Sequence, residues 1–156
     1  MAILLLAALV RLGYLWYYST LPDWTQLTVD NWYHLHWAQS IAAGNVIGDT
    51  TYFRAPFYVW CLGLLYAVFG SSLWVARLFG AAVGVLSVFL TYRIGSRLFS
   101  KQIGRIAAVL QAVTPVMMYF EGELLLDPLF TLLLQIAIYR LLVWLDEQTS
   151  RHALAA

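Results

Sequence analysis

The sequence predicts an all-α integral membrane protein with four transmembrane helices and shorter helices at the membrane surface. Hydrophobic residues make up 62% of its 156 residues, against roughly 45–50% in soluble domains. Charged residues make up only 11%, against about 25% in soluble domains. The apolar residues also fall into five runs separated by polar connections. No basic stripe marks a nucleic-acid partner, so membrane lipid is the expected surrounding.

Four of the five runs are predicted to cross the membrane, which takes about 20 predominantly apolar residues. The first run has no basic start and no small-residue cleavage site before its aromatic end. We therefore interpret it as a retained helix rather than a signal peptide. Pro115 and Pro128 are expected to kink or start membrane helices. The predicted spans are about 2–18, 73–92, 103–120 and 124–145.

The remaining run, 55–69, is predicted to lie in the membrane interface. It is bounded by Pro56 and Gly70, and it is shorter than a crossing helix needs to be. A stretch at about 28–43 has the character of a second interfacial helix. Both belong to an outer loop, 19–72, that is rich in tryptophan and tyrosine, as membrane interfaces usually are.

Basic residues determine the predicted orientation. Four of them crowd the connection between the second and third spans, and such clusters mark the cytoplasmic side. Both termini are then cytoplasmic, including a polar tail at 146–156 that we expect to be disordered. The outer loop and the turn near Glu121 lie on the other side, and a bacterial inner membrane is the expected location. The four basic residues are Arg93, Arg97, Lys101 and Arg105.

Carboxylates on the outer side are the candidate catalytic residues. A carboxylate near hydrocarbon is costly and requires pairing or a function to explain it. Asp30 begins the helical stretch of the outer loop, and three more acids follow the third span. Because the predicted topology places both groups on one side, they can form one site. The spacing of Glu123 and Asp127 predicts a shared helical face. The four candidates are Asp30, Glu121, Glu123 and Asp127.

Cationic side chains on the same side are candidates for binding a phosphate, which a guanidinium can contact with two hydrogen bonds. Arg54 directly precedes the run at 55–69, and Arg77 and Arg11 are the other two arginines. His34, one turn after Asp30, would hold its carboxylate or contact a phosphate. Each cation has a structural alternative, which is pairing with an outer carboxylate or a lipid headgroup.

The carboxylates also have alternatives. Asp30 would serve as a helix N-cap, and Asp127 would stabilise the start of the last helix through its dipole. Together with His34, the acidic groups could complete a divalent cation site, since hard oxygen ligands suit Mg²⁺ or Mn²⁺. We assign no metal ligands, and a cation stays an alternative.

Five short motifs follow one another over about two thirds of the chain. The first is Asp30 with Tyr33, His34, Ala38, Ile41 and Gly44 after it. The others are Tyr52 to Tyr58 (YFRAPFY), Phe69 to Arg77 (FGSSLWVAR), Gly95 to Phe99 (GSRLF) and Glu121 to Asp127 (EGELLLD).

In order and spacing these motifs resemble the N-terminal part of the dolichyl-phosphate-mannose protein mannosyltransferase superfamily. These are GT-C glycosyltransferases, a group that includes bacterial lipid A aminoarabinose transferases. The resemblance implies a GT-C N-terminal module whose first outer loop carries an acidic residue and two juxtamembrane helices. It implies inverting transfer of a sugar from a polyprenyl-phosphate donor to a hydroxyl acceptor on the outer face. Asp30 would be the general base and Arg54 the leading phosphate partner.

Two departures from that pattern keep alternatives open. Many relatives carry a second acid directly after the first, where this chain has Asn31. Family members usually have many more spans than the four predicted here. The chain could therefore be the N-terminal fragment of a longer enzyme, or a non-catalytic subunit or scaffold that needs a partner membrane protein. It could also be a component that binds polyprenyl lipids without transferring a sugar.

Overall fold

The chain is mostly helical, and has no strand, in the part that its structure, a computed structural model, describes. That part comprises residues 1–47 and 53–155, the last seven by their backbone only. Tyr52, in the second motif, lies outside it. The predicted all-α class is confirmed. The helices are α1 (Ala2–Tyr18), α2 (Val29–Ala42), α3 (Pro56–Phe69), α4 (Leu73–Leu98), α5 (Lys101–Ala112), α6 (Pro115–Gly122) and α7 (Asp127–Ala155), with a 3-10 turn at Pro22–Trp24.

Helix α4 is the centre of the bundle, and α1, α3, α5, α6 and α7 all contact it. It begins at Ser72, whose hydroxyl oxygen accepts a hydrogen bond from the Val75 amide at 3.3 Å, as N-cap residues do. Ser100 caps α5 in the same way, through the Ile103 amide at 3.2 Å. Serine caps thus define the starts of α4 and α5, and Ser100 lies in the short connection between the two helices.

Small residues let the helices approach closely, as is usual where helices pack in membranes. Ala7, Ala108 and Ala112 are fully buried where α1 and α5 meet α4. A Cβ atom at Gly84 of α4 would collide with the carboxylate of Glu121. A Cβ atom at Gly80 would collide with the backbone carbonyl of Glu121, so the position of α6 against α4 depends on glycine at both sites.

The number of spans supported by helix length and composition is smaller than predicted. Helix α4 and residues 127–148 of α7 are long and apolar enough to cross a membrane. Helices α5 and α6 qualify only as a pair, bent by 57°. The expectation that Pro115 kinks or starts a membrane helix is confirmed, because α6 begins at Pro115 inside the predicted span at 103–120. Pro115 accounts for the break, because it lacks an amide hydrogen and its ring clashes with the preceding turn.

The other apolar helices are shorter. Helix α1 has 17 residues, at the lower limit of about 17–25 for a crossing, so its span stays a prediction. Helix α3 has 14 residues, and its extent matches the predicted interfacial run. The expected disordered tail was wrong, since α7 continues without a break from Asp127 to Ala155. No glycine or proline occurs at 146–155 to stop it.

A closed ring of four side-chain hydrogen bonds joins α4, α5 and α7. Ser87 donates to Gln135 Oε1 at 2.8 Å, and Gln135 Nε2 donates to the Thr91 hydroxyl at 3.1 Å. Thr91 donates to Gln111 Oε1, and Gln111 Nε2 donates back to Ser87 at 2.7 Å. Each hydroxyl thus donates once and accepts once. Such rings satisfy polar groups that hydrocarbon cannot.

We predict that Gln111→Leu lowers the free energy of unfolding by about 1–2 kcal/mol, because it leaves the Thr91 hydroxyl without an acceptor and the Ser87 hydroxyl without a donor. Unfolding of the purified chain in micelles by increasing SDS measures this. Gln102→Leu, at an exposed position of the same helix, is the matched control and should change little. Equal effects of the two substitutions would show that the ring contributes nothing.

Candidate functional site

A cavity of about 720 Å³ lies where the ends of α1 and α6 meet the start of α2. We call it the outer-loop cavity. Three of the predicted site residues line it, namely Asp30, Arg54 and Glu123, together with Asn31 and Tyr18. Because α2 comes from the long loop and Glu123 follows α6, the cavity brings together one member of each acidic group, Asp30 and Glu123.

Asp30 and Arg54 form an exposed ion pair in this cavity. Arg54 Nη2 donates to both carboxylate oxygens of Asp30, at 2.7 and 2.8 Å. The Asp30 side chain is 36% exposed and the Arg54 side chain is 41% exposed. Asp30 lies in the first turn of α2, and Thr28, not Asp30, is the N-cap residue. An exposed pair adds little stability, so a ligand can replace either partner.

Glu123 lies deeper in the same cavity and is 9% exposed. The Tyr18 hydroxyl donates to its Oε1 at 2.8 Å, and Asn31 Nδ2 donates to its Oε2. Glu123 ends α6 with an extended backbone, φ −83° and ψ 154°. The expectation that Glu123 and Asp127 share a helical face was therefore wrong, because the two residues belong to no common helix.

Asp127 opens α7 and is exposed. It lines a smaller cavity of about 140 Å³ beside Glu121. Its position in the first turn suits the structural alternative, in which a carboxylate stabilises the positive end of the helix dipole. The four acidic candidates thus line two cavities, with Asp30 and Glu123 in the larger one and Glu121 and Asp127 in the smaller one.

Arg11 and Glu121 form a second ion pair, and this one is buried. Arg11 Nε and Nη2 donate to the two oxygens of Glu121 at 2.6 and 2.9 Å. Arg11 Nη1 also donates to the carbonyls of Ala7 and Ala112, at 3.2 and 3.3 Å. Arg11 is 2% and Glu121 6% exposed. The two charges thus neutralise each other through paired hydrogen bonds. The contacts of Arg11 join α1 to α6 and to the end of α5.

Arg77 is fully buried at the base of the outer loop. Its Nε donates to the Gly122 carbonyl at 2.9 Å, and its Nη1 to the Trp24 carbonyl at 2.8 Å. Its guanidinium carbon lies 3.8 Å from the Trp24 ring centre and 4.7 Å from that of Tyr18. These contacts attach the 3-10 turn to α4 and α6, which is a structural task.

His34 lies one turn after Asp30, but its hydrogen bond goes elsewhere. Its Nδ1 donates to the Leu124 carbonyl at 2.6 Å, and its ring packs edge-on against Tyr58. The residue is 1% exposed. Burial lowers the pKa of His34 below its usual value, and the bond to Leu124 and the charge of Asp30 act against this shift. His34 therefore fixes α2 to the segment that follows α6.

Sequence reasoning missed Tyr18 as a partner of Glu123 and treated Asn31 only as a departure from an acidic pattern. The position of Asn31 directly after Asp30 could have indicated that it belongs to the site. Nothing in the sequence marked Tyr18, which only ends an apolar run. Among residues 1–47 and 53–148, no group of three or more histidine, cysteine or acidic side chains is placed to hold a metal ion.

Comparison with known proteins identifies the chain's family. Residues 53–156 match the family described as dolichyl-phosphate-mannose-protein mannosyltransferase. The chain belongs to this family. The match includes Arg54 and the acids from Glu121 to Asp127, whereas Asp30 precedes it. This is the family that the order and spacing of the five motifs predicted.

A relative in Bacillus subtilis (strain 168), named "Putative mannosyltransferase YycA", is 29% identical over 134 residues. The alignment covers 85% of this chain and 20% of that relative. The chain therefore spans about one fifth of the relative's length. No solved structure matches the chain significantly.

We predict that Arg11→Met lowers the free energy of unfolding by about 3–5 kcal/mol, because it leaves the Glu121 carboxylate buried without a partner. Adding Glu121→Gln should restore most of this loss. Unfolding by SDS in micelles measures both effects. Arg97→Met, which breaks the exposed pair of Arg97 with Asp146 at 2.6 Å, should change little. Additive losses in the double variant would contradict a direct pairing of Arg11 with Glu121.

We also predict that acid weakens the fold through His34. Its folded-state pKa is lowered, so the neutral ring stabilises the fold above the unfolded pKa of about 6.5. That stability is lost as the pH falls towards the folded-state pKa. Thermal unfolding at pH 7.5 and pH 5 should show a larger drop for the wild type than for His34→Gln. The exposed His36 supplies the control, since His36→Gln should keep the wild-type pH dependence.

Proposed function

We propose that the chain carries the catalytic outer loop of a glycosyltransferase acting on polyprenyl-phosphate sugars. The observation that supports this most is the meeting of Asp30, Arg54 and Glu123 in one cavity of a chain from the mannosyltransferase family. A base, a phosphate-binding cation and a second carboxylate are the groups that such a transfer needs. Since the chain spans a fifth of its relative, the rest of a longer protein or a partner subunit would enclose the lipid.

The proposed reaction is a single displacement with inversion. Asp30 accepts the proton of the acceptor hydroxyl as that oxygen attacks the anomeric carbon. A new carbon–oxygen bond forms, the bond between the sugar and the phosphate breaks, and its electron pair leaves with the polyprenyl phosphate. General-base assistance of this kind contributes about 10²–10⁴-fold to the rate.

Arg54 couples donor binding to this step. In the described state it holds both oxygens of Asp30, so the base is occupied. A donor phosphate offers the guanidinium a ligand of matching geometry. When Arg54 turns to that phosphate, Asp30 is released for the acceptor. Glu123, held deeper in the cavity, would orient the acceptor through its remaining lone pairs.

The proposal places the cavity on the outer face of a bacterial inner membrane. The basic residues from Arg93 to Arg105 support a cytoplasmic connection between α4 and α5. The length of α4 supports an outer position for the cavity. Arg77, beside the cavity, and Arg97, near the basic connection, lie near opposite ends of this helix. The N-terminus and the end of α7 would then be cytoplasmic.

The test is reconstitution of the full-length protein, with its partner subunit where there is one, in liposomes with a panel of polyprenyl-phosphate sugars, following both donor binding and sugar release. We expect Asp30→Asn to slow release by about 10²–10⁴-fold with donor binding retained. Asp146→Asn is the matched control, because it also removes the carboxylate of an exposed arginine pair, far from the cavity. It should leave release unchanged.

Three other outcomes would contradict the proposal or its mechanism. Donor binding without any release, in the wild type as in Asp30→Asn, would indicate a lipid-binding component. Absence of both binding and release would indicate a scaffold for a partner membrane protein. Equal release by wild type and Asp30→Asn would remove Asp30 from the mechanism.

A further inference from the structure

A separate cavity of about 220 Å³ lies beside the second half of α4, between the first turns of α1 and α5. We call it the basic-end cavity, because the basic connection between α4 and α5 lies at the same end of the bundle. Most of its wall is apolar, and only Tyr92 and Arg105 add polar groups. The apolar residues of the wall are Met1, Ile3, Leu4, Val88 and Phe89.

The cavity begins where small residues stop holding the helices together. Farther along α1 and α5, the fully buried Ala7 and Ala108 allow both helices to approach α4. One turn earlier, the larger side chains of Leu4 and Arg105 stand in their place, and both line the cavity. Since bulky side chains hold helices apart, space remains between the helix starts.

Arg105 is an exposed cation of this cavity that has no counterion. Its guanidinium makes no hydrogen bond or ion pair with any side chain within residues 1–47 and 53–148. Its neighbours in the basic group are engaged, because Arg93 donates to the Tyr139 hydroxyl and Arg97 donates to Asp146 at 2.6 Å. Arg105 therefore offers its donors to a ligand.

Tyr92 adds a second donor to the cavity. Its ring packs against the buried residues between α1, α4 and α5, and its hydroxyl has no partner among the side chains that the structure describes. A Cβ atom at Gly104 would lie 2.7 Å from the Tyr92 carbonyl, so glycine there lets α5 pack closely on α4. Arg105 follows Gly104 directly, and this close packing brings the guanidinium and the hydroxyl to one cavity.

We propose that the basic-end cavity binds an anionic phospholipid, whose phosphate contacts Arg105 and Tyr92 while part of an acyl chain lies against the apolar wall. A guanidinium matches a phosphate with two hydrogen bonds, and basic pockets between membrane helices on the cytoplasmic side bind anionic headgroups. The apolar wall favours a lipid over a soluble anion, because inorganic phosphate gains nothing from apolar contacts.

The charges around the cavity complement such a lipid. The guanidinium carbon of Arg93 lies 5.6 Å from the ring centre of Phe89 in the wall, and Lys101 lies one turn before Arg105 on α5. The acidic Asp146 is already paired with Arg97. In the proposed orientation the cavity faces the cytoplasmic leaflet, which supplies anionic lipids. The proposal goes beyond sugar transfer and does not depend on it.

The experiment titrates the full-length protein, purified in an uncharged detergent, with phosphatidylglycerol and counts bound lipid by native mass spectrometry. Phosphatidylcholine with the same acyl chains, inorganic phosphate and a polyprenyl phosphate are the comparison ligands. We expect the wild type to bind phosphatidylglycerol at least about fivefold more tightly than phosphatidylcholine, and Arg105→Gln to lose this preference. Phosphatidylglycerol should also raise the unfolding temperature of the wild type more than that of Arg105→Gln.

Two further variants separate the parts of the proposed site. Lys101→Gln is the matched control, because it removes an exposed cation of the same helix that does not line the cavity. It should keep the preference for phosphatidylglycerol. Leu4→Trp fills the apolar space and leaves Arg105 in place, so it should weaken phosphatidylglycerol binding about as much as Arg105→Gln does.

Four results would overturn the proposal. Arg105→Gln could keep the preference for the anionic lipid, or Lys101→Gln could lose it equally, which would indicate attraction by surface charge alone. Inorganic phosphate that binds as tightly as phosphatidylglycerol would indicate a site for soluble anions, and this comparison decides the role of the acyl chain even if Leu4→Trp does not fold. Tighter binding of the polyprenyl phosphate would assign the cavity to that lipid instead.

Discussion

The buried ion pair between Arg11 and Glu121 is the interaction on which the rest of the structure depends. Two opposite charges in an apolar bundle are tolerated only when each satisfies the other with good geometry, and here two hydrogen bonds join them. Glycine at Gly84 provides the space for the Glu121 carboxylate against α4. The pair therefore fixes where α1 and α6 lie on the central helix.

The position of Glu121 determines the geometry of the next three residues. Gly122 offers its carbonyl to Arg77, Glu123 offers its carboxylate to Tyr18 and Asn31, and Leu124 offers its carbonyl to His34. The contacts with Asn31 and His34 hold α2, and Arg77 also binds the Trp24 carbonyl of the 3-10 turn. The short segment after α6 thus fixes the position of the outer loop, which bears Asp30, relative to the helix bundle.

The sequence allowed the class of the fold to be predicted because apolar runs, proline positions and basic clusters are local signals. The distribution of basic residues also predicted that Asp30 and Glu123 lie on the same side of the membrane. It did not separate Glu123 from Asp127, since their spacing fits a helix and the break after Gly122 depends on tertiary contacts of the segment. The partner of each arginine was equally hidden, because pairing of Arg11 with Glu121 joins residues 110 positions apart.

Burial is what distinguishes the two arginine–carboxylate pairs, which are alike in chemistry. The pair of Arg11 and Glu121 is buried, and Arg11 also donates to two backbone carbonyls. Replacing either residue would leave the other charge buried without a partner. The pair of Arg54 and Asp30 is open to solvent, and water or a ligand can take over either partner at little cost. A rigid pair inside and an exchangeable pair outside are complementary, because a mobile contact can select a ligand only if the cavity around it holds its shape.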